Sequence, residues 1–427
     1  MRTFKKQFQN LFIGLFAFAI TFSSCKKEET SSDAFDNRST AAADYTQSSL
    51  PVTTVSGNIT SSTTWTSDRV WEISGVVYVT AGTLTIQPGT YIKSTVNTAG
   101  QPNGVLVITR NASINAVGTA ENPIVFTSRY LLDGNSATAG TPGDFGGVII
   151  LGESTVNTPT GSSNIEGLPA SANTQFGGTI PADNSGSFRF VRIEYAGYEL
   201  NTDIEVNGLT LGGVGSGTAI NNVQVSYGLD DGFEFFGGTV NTSNLIAFGN
   251  DDDQFDYDLG YVGTLSASWA IADQNSSHSG FPAGPSDSNG AEIDNNPTNF
   301  CGTATRTTVT FNNVRIIGTR TLATVSGQNA YENGVHVRRG ANLRFINSIT
   351  TGYPTGLRVD LTGGCETGVF QGSSIHGFVS SQVGGTNVSG NTLSTASPAP
   401  NFGMSQPFFN TAGFNPGITF AWAKFNY

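Results

Sequence analysis

Short runs in which apolar and polar residues alternate dominate this chain, and they predict β-strands rather than helices. The clearest run, Val-Ser-Tyr-Gly-Leu-Asp-Asp at residues 225–231, returns 21 positions later as Ile-Ala-Phe-Gly-Asn-Asp-Asp. The match continues as Phe233-Glu234-Phe235 against Phe255-Asp256-Tyr257, now shifted by 22 positions. A period near 22, made of short strands separated by Gly, Asn and Asp, is typical of one coil of a parallel β-helix.

Looser copies of this pattern extend the repeat in both directions. Towards the C-terminus we interpret the chain as pairs of strands, one pair in each coil. The pairs are residues 268–273 with 291–293, residues 314–318 with 335–337, and residues 343–346 with 357–359. Towards the N-terminus, short apolar segments between residues 70 and 126 have the same spacing. Coils of this kind bury their inward side chains only by stacking on their neighbours.

The alternation of strand side chains predicts which residues of the coils point away from the core. Phe233 and Phe235 share one side of their strand, and Glu234 takes the other. Because phenylalanine prefers the interior, we expect Glu234 to point outward into the open. The same register predicts one outward column, with neighbours a single coil apart, formed by Glu234, Asp256, Glu292, His336 and Arg358. If the protein is an enzyme, these five are its candidate catalytic residues.

A second acidic group lies at the turn that leads into the same strands. It consists of Asp230, Asp231, Asp251, Asp252 and Asp253, with Asp258 just beyond. Carboxylates on stacked coils repel one another, and a hard cation such as Ca²⁺, which prefers oxygen ligands, relieves that repulsion. The acids do not have the spacing of an EF-hand loop. The alternative is that these residues only cap the backbone N–H groups of their turns.

The N-terminus has the charged, apolar and small-residue zones of a secretory signal. Its apolar run, from Leu11 to Phe22, is too short to span a bilayer. The following Ser23-Ser24-Cys25 resembles the lipobox of bacterial lipoproteins, which implies a signal over residues 1–24 and a lipid on Cys25. An ordinary signal peptide with an incidental cysteine is the alternative. Residues 25–50, rich in Ser, Thr, Ala and Asp, are then a flexible tether.

The residues after Cys25 also bear on location. Lys26-Lys27-Glu28-Glu29 resembles the signal that sends lipoproteins of the Bacteroidota to the outer face of the outer membrane. That resemblance implies a protein anchored in the outer membrane and facing the cell exterior. The alternative is that these residues are a plain charged tether.

Composition narrows the partners that the body of the protein can have. The chain has 20 Lys and Arg against 32 Asp and Glu, a formal net charge of −12, so nucleic acid and anionic lipid headgroups are not expected as partners. The 53 Gly and 29 Phe suit a turn-rich β protein with a long interior. Cys301 and Cys365 either form a disulfide, as an oxidising compartment allows, or are buried free thiols.

Three stretches, residues 82–90, 118–126 and 143–152, resemble a family of secreted right-handed parallel β-helix proteins from Bacteroidota, which has no settled activity. With the Asp-rich coils the resemblance covers most of residues 60–360, and it implies an all-β, pectin-lyase-like solenoid. Because the tail shows no evident second domain, we expect one domain over residues 51–427. A pair of β-sandwiches would not explain the repeat period. The ends of a solenoid need covers. The candidates are residues 50–75, with Trp65 and Trp71, and the aromatic tail with Phe402, Phe408, Phe409, Trp422 and Phe425.

Right-handed β-helices include pectate lyases, in which acids hold Ca²⁺ and an Arg abstracts a proton, and polygalacturonases, which use several Asp. The outward acids with His336, Arg338, Arg339 and Arg358 are compatible with either chemistry in residue type. However, the Gly-His-Gly and Arg-Ile-Lys signatures of polygalacturonases are absent from the sequence, and its one Asn-Thr-Asp, at residues 201–203, stands without them. Zinc, phosphate-loop and dinucleotide motifs are absent as well. A shared fold does not carry function.

We therefore expect a surface lipoprotein that binds without catalysis. Its sheet face, or the loops 129–145, 153–186 and 274–290, would contact a glycan or a neighbouring outer-membrane protein. The alternative is a calcium-assisted polysaccharide lyase or a glycoside hydrolase acting on acidic glycans, in which two carboxylates serve as acid and base. A third interpretation is adhesion or cell-envelope architecture without a small ligand.

Overall fold

The computed structural model describes residues 49–95, 104–201, 204–273, 288–322, 331–361, 364–404 and 420–425. The signal, Cys25, nearly all of the tether, most of the loop 274–290, and Phe408 and Phe409 lie outside these residues. Within them, one sheet of 27 strands winds into a solenoid, and its strands pair in parallel with those of the neighbouring coils. The predicted right-handed parallel β-helix is confirmed.

Each coil passes in turn along three faces of the solenoid, which we name C, B and A in chain order. The strands confined to face A are Val105–Ile108, Gly147–Leu151, Leu209–Gly212, Phe233–Phe236, Phe255–Asp258, Glu292–Ile293 and Asn333–Val337. The strands confined to face B are Tyr91–Ser94, Ile124–Thr127, Trp269–Ile271, Arg315–Ile317 and Thr392–Ser394. The strands confined to face C are Thr63–Trp65, Gly82–Ile86, Ala112–Val117, Val262–Ser266, Thr308–Asn312, Asn342–Ile346, Thr367–Gln371 and Thr386–Ser389.

The remaining strands of the sheet bend around a corner between two faces. Those that run from face C to face B are Gly186–Glu194, Ala219–Ser226 and Thr242–Phe248. Those that run from face B to face A are Val52–Ile59, Val70–Val79, Ile349–Val359 and Ser374–Val383. Outside the sheet lie the hairpins Ser163–Asn164 with Gln175–Phe176 and Tyr198–Asn201 with Ile204–Val206, and the 3₁₀ turn Arg129–Leu132. In the part of the chain described, no helix is long and apolar enough to cross a membrane.

Single residues with positive φ turn the chain at the corner between faces C and B. Asn222, Asn244, Asn313 and Asn347 occupy this corner in four of the coils, with φ of 55°, 53°, 62° and 50°. Asparagine tolerates this left-handed conformation better than most residues, because its short polar side chain can bond locally. One residue therefore redirects the chain where a loop would otherwise be needed.

The coils also have strands on face C, which the predicted pattern of two strands in each coil did not include. Residues 343–346, predicted as the counterpart of 314–318, lie instead on face C, where Asn342–Ile346 pairs with Thr308–Asn312. The true counterpart of residues 314–318 is the start of the next strand, at Ile349. The face C strand Val262–Ser266 was not predicted, because only one of its five residues is buried and its apolar and polar residues alternate weakly.

The inward sides of the coils form one continuous apolar core. Phe233 and Phe235 are fully buried there, as predicted. They stack on Phe255 and Tyr257 of the next coil, with ring centroids 5.2 Å and 4.5 Å apart. Burial of one such side chain contributes roughly 1.5–3 kcal/mol. This core fixes the register of the strand, and with it the outward direction of Glu234.

The C-terminal tail lies along face B instead of covering the last coil, so its predicted role as an end cover is wrong for the described residues. Trp422 is buried against residues of face B. The side-chain amide of Gln224 donates to the carbonyl of Lys424 and accepts from its N–H at 2.8 Å. At the other end, residues 50–75 are part of the first coils themselves, with Trp65 filling the interior.

Candidate functional site

The strand pairing on face A aligns the outward column that the repeat predicted. Glu234 pairs with Asp256, and Asp256 pairs with Glu292 in the following coil. Glu292 then pairs with His336, and His336 with Arg358. Neighbours in the column are therefore one coil apart.

Three of the five column residues are buried and do not lie in the open, which corrects the expectation from the sequence. Glu234 is only 4% exposed, Glu292 6% and His336 5%. The side chain of Asn207 donates a hydrogen bond to Glu234, and that of Asn289 donates to Glu292 at 3.4 Å. Alternation decides which side of a strand a residue takes, but it does not reveal whether a loop or a turn then covers that side.

A cavity of about 530 Å³ lies over the start of the column, and its walls are mostly acidic. Nine carboxylates and two arginines line it, together with one phenylalanine. These residues are Glu166, Asp230, Asp231, Glu234, Phe236, Asp252, Asp256, Asp258, Glu292, Asp294, Arg338 and Arg339. Face A supplies the column acids, the turns before face A supply three aspartates, and the loop 153–186 supplies Glu166. His336 and Arg358 lie beyond these walls.

Among the described residues, three groups of carboxylates bring their oxygen atoms within 4.8 Å of one another. The groups are Asp230 with Asp231 and Asp252, Asp231 with Glu234 and Asp256, and Asp253 with Asp256 and Glu292. Because Asp231 and Asp256 each belong to two groups, the three groups form a connected row. Oxygen atoms at such separations can bind one cation together.

Asp251, the fifth turn acid in the predicted metal cluster, belongs to none of the three groups. Its backbone N–H donates to Gly228 and its carbonyl accepts from Ser288. Successive residues of a turn point in different directions, so a run of three aspartates cannot place all of its carboxylates at one point. The sequence alone could not show which of the three would be left out.

Two of the turn aspartates also cap backbone groups, as the alternative interpretation required. The N–H of Asp253 donates to Oδ1 of Asp231 at 2.9 Å, and the N–H of Asn289 donates to Asp253. These bonds connect each turn to the turn of the next coil. Each carboxylate has a second oxygen and further lone pairs, so capping and cation binding can use the same side chain.

Burial raises the pKa of four of these acids well above the usual range. They are Asp231, Glu234, Asp253 and Asp256. Neighbouring carboxylates raise the pKa of each further, with Glu166 acting on Glu234 and Asp258 on Asp256. Burial and the carboxylate of Asp294 raise the pKa of Asp258 to about 7. The cavity therefore stabilises positive charge, either as bound protons or as a cation.

Asp294 and Arg338 form a second outward column, two residues further along the strands, that the sequence analysis did not single out as a column. Asp294 Oδ2 accepts from Arg338 Nε at 3.1 Å and from Arg339 Nη1 at 2.5 Å. Its other oxygen, Oδ1, is buried without a hydrogen-bond partner. The same alternation that predicted Glu292 would have predicted Asp294, two residues later. Glu166 had no such signal, because it lies in an irregular loop.

The far end of the first column is held in an ion-pair cluster that adjoins the cavity, since His336 Nδ1 lies 3.9 Å from Glu292 Oε2. His336 Nε2 lies 3.0 Å from Asp360 Oδ2, and Arg358 Nε donates to Asp360 Oδ1 at 2.7 Å. Burial lowers the pKa of His336 below its ordinary value. Burial would raise the pKa of Asp360, but the hydrogen bonds from His336 and Arg358 hold it below its usual value. Asp360 was also missed, since it follows the last residue of its strand.

A disulfide joins Cys301 to Cys365 beside the arginines of the cavity, which is one of the two alternatives open from the sequence. The backbone N–H of Cys365 donates to Glu366, and Glu366 also accepts from the N–H of Gly340. Arg306 donates to the carbonyl of Cys365. The disulfide thus braces the turn that follows Arg338 and Arg339.

The fold and the site together define a parallel β-helix protein with an acidic cavity on one outer face. A family model described as a pectate-lyase-like β-helix domain matches residues 57–397. The chain therefore belongs to the family of pectate-lyase-like β-helix domains. No curated protein and no solved structure matches it.

Proposed function

We propose that this protein holds Ca²⁺ in the acidic cavity and uses it to bind a glycan or a neighbouring outer-membrane protein, without catalysing a reaction. One observation carries the proposal: acids from successive coils bring their oxygen atoms within 4.8 Å of one another in a largely buried space. Unscreened carboxylates this close repel strongly at neutral pH. A bound cation removes that repulsion.

The donor set favours calcium over other metals. Every atom that the three groups offer is a carboxylate oxygen, which suits a hard cation, whereas zinc and copper sites are built with nitrogen or sulfur. Mg²⁺ demands near-ideal octahedral geometry and keeps several of its waters. Ca²⁺ tolerates irregular sets of about six to eight oxygens, and the buried, unpaired Oδ1 of Asp294 adds a further acceptor.

The size and the chemistry of the cavity suit a sugar ligand. Its volume of about 530 Å³ lies within the range of roughly 300–1,000 Å³ that is typical of small-molecule sites. Three carboxylates leave ligand positions on Ca²⁺ that hydroxyl or carboxylate groups of a glycan can fill. Arg338 and Arg339 line the same cavity and are suited to bind a sugar carboxylate.

The positions of the basic residues favour binding over catalysis. Arg338 and Arg339 both pair with Asp294, and a guanidinium paired with a carboxylate is a poor base, although its other N–H groups can still donate to a sugar carboxylate. His336 and Arg358 pair with Asp360 and lie outside the cavity walls. A group that abstracts a proton must reach the substrate within hydrogen-bond distance.

The location belongs to the same proposal. A secretion signal over residues 1–24, a lipid on Cys25 and a tether to about residue 50 would anchor the solenoid in the outer membrane, facing the cell exterior. The support is the order of basic, apolar and small residues before Cys25 and the Lys-Lys-Glu-Glu that follows it. Metabolic labelling with a radioactive fatty acid, compared between the natural chain and Cys25→Ser, tests the anchor. Loss of label in the variant is expected, and equal label in both chains would contradict the anchor.

Calorimetric titration of Ca²⁺ into chelator-treated protein tests the binding site. Asp256→Asn removes a carboxylate shared by two of the groups, so we expect its calcium affinity to fall at least tenfold. Asp251→Asn is the matched control, because this neighbouring acid belongs to no group. An array of plant, algal and bacterial glycans is then probed with and without Ca²⁺. Equal affinity in both variants, or no calcium binding by the natural chain, would contradict the proposal.

A second candidate function is a calcium-assisted polysaccharide lyase or a glycoside hydrolase. The observation that favours it is that Arg338 and Arg339 line the same cavity as the acids, since a lyase needs a cation and a base at one substrate. Uronate polymers incubated with the protein and Ca²⁺ would then release unsaturated products that absorb ultraviolet light. No unsaturated product and no new reducing ends from a broad polymer panel would exclude both enzymes.

A further inference from the structure

The two ends of the solenoid are open strand edges in the described residues. At the N-terminal end, Val52–Ile59 and Thr63–Trp65 pair only with the following coil. At the C-terminal end, Thr386–Ser389 and Thr392–Ser394 pair only with the preceding coil. Each end of the described solenoid therefore presents one side of a parallel ladder whose backbone groups have no strand partner.

Neither end has charged residues on its edge strands. Exposed edge strands are commonly blocked by charged residues, above all lysine. Here no Asp, Glu, Lys or Arg occurs from residue 45 to 67, or from residue 367 to 423. The described part of the C-terminal tail lies along face B, and so it does not cover the last coil.

Apolar side chains are exposed at both ends. In the last coil, Leu393 is 44% exposed. Leu393 is level with the fully buried Ile375 of the coil before it, so a further coil would bury it in the same way. At the first coil, Val55 is level with the fully buried Ile73 of the next coil but is itself only half-buried.

We propose that the last coil of one copy of this chain docks on the first coil of a second copy. Both ends offer parallel strands on faces A, B and C, so the contact between copies continues the coil-on-coil packing found within each chain. The edge strands at both ends carry no ionisable Asp, Glu, Lys or Arg, so no like charges on these strands oppose the contact. Because the two surfaces differ, the contact is head to tail and it repeats. This inference is independent of the cavity and its cation.

Sedimentation velocity of the full chain over a hundredfold concentration range tests the proposal. Two variants each place a lysine on the core-facing side of one open end: Leu393→Lys at the last coil, and Val55→Lys at the first. The natural chain is expected to gain mass as its concentration rises, and each variant to remain a monomer. Ile180→Lys, an exposed apolar residue of the loop 153–186, is the matched control and is expected to behave as the natural chain.

Mixing the two blocked variants gives the decisive result. Each retains the end that the other has lost, so an equal mixture is expected to form a dimer and nothing larger. This result also shows that both variants are folded. A natural chain that stays monomeric throughout the range would overturn the proposal, as would two variants that assemble like the control, or blocked variants that fail to combine while their circular dichroism matches the natural chain.

Discussion

Replacement of Asp258 by asparagine is expected to stabilise the calcium-free protein at neutral pH. Burial and the carboxylate of Asp294 raise the pKa of Asp258 from 3.8 to about 7. Between pH 3.8 and about 7 the carboxyl group of Asp258 is protonated in the folded chain and ionised in the unfolded chain. The stability that this difference in pKa provides is therefore fully present below pH 3.8. It is lost as the pH rises towards 7, because above that value both states are charged.

The size of the effect follows from the same two values. One pKa unit corresponds to about 1.4 kcal/mol, so the difference between a pKa of 3.8 and one of about 7 corresponds to roughly 4 kcal/mol. Asp258 is partly accessible to solvent and interacts with other acids of the cavity, so about 2 kcal/mol is the effect we expect in practice. The asparagine side chain would keep an oxygen that can accept the N–H of Leu259, as the carboxylate of Asp258 does.

Guanidinium unfolding in the presence of a calcium chelator measures this difference. Asp258→Asn is expected to raise the free energy of unfolding by about 2 kcal/mol at pH 7.5 and to leave it nearly unchanged at pH 4. Glu121→Gln, at an exposed turn, is the control and should change neither value. A variant that is no more stable than the natural chain at pH 7.5, or equally stabilised at both pH values, would refute the reasoning.

Two further changes test the core and the disulfide. Phe235→Ala removes a fully buried ring that stacks on the next coil, so it should lower the free energy of unfolding by about 3–5 kcal/mol; a loss below about 1 kcal/mol in guanidinium unfolding would contradict an inward Phe235. Replacement of both Cys301 and Cys365 by serine opens a loop with a sequence separation of 64 and should cost roughly 4 kcal/mol. An unchanged melting temperature for the double variant would argue against that disulfide.

The sequence predicted the column on face A because two local rules were sufficient there. Alternation and the pairing of Phe233 and Phe235 with Phe255 and Tyr257 fixed both the register and the inward side. The face C strand Val262–Ser266 escaped detection, since it alternates weakly and has little apolar signal. The sequence pattern therefore predicted the structure correctly where packing of the core requires alternating apolar residues.

The enclosure of the site could not be predicted in the same way. Glu166 reaches the cavity from a loop whose path depends on packing between distant segments, and no periodicity encodes such a path. Asp294 was within reach of the alternation rule and should have been included with Glu292. The position of the C-terminal tail on face B depends on contacts such as Gln224 with Lys424, which are 200 residues apart in the chain.

The central claim is that calcium joins the acids of successive coils, and anomalous diffraction from crystals grown in Ca²⁺ tests it most directly. We expect an anomalous calcium peak about 2.3–2.6 Å from oxygen atoms of Asp231, Glu234 and Asp256. Crystals at saturating Ca²⁺ that show no peak at any of the three carboxylate groups would contradict it.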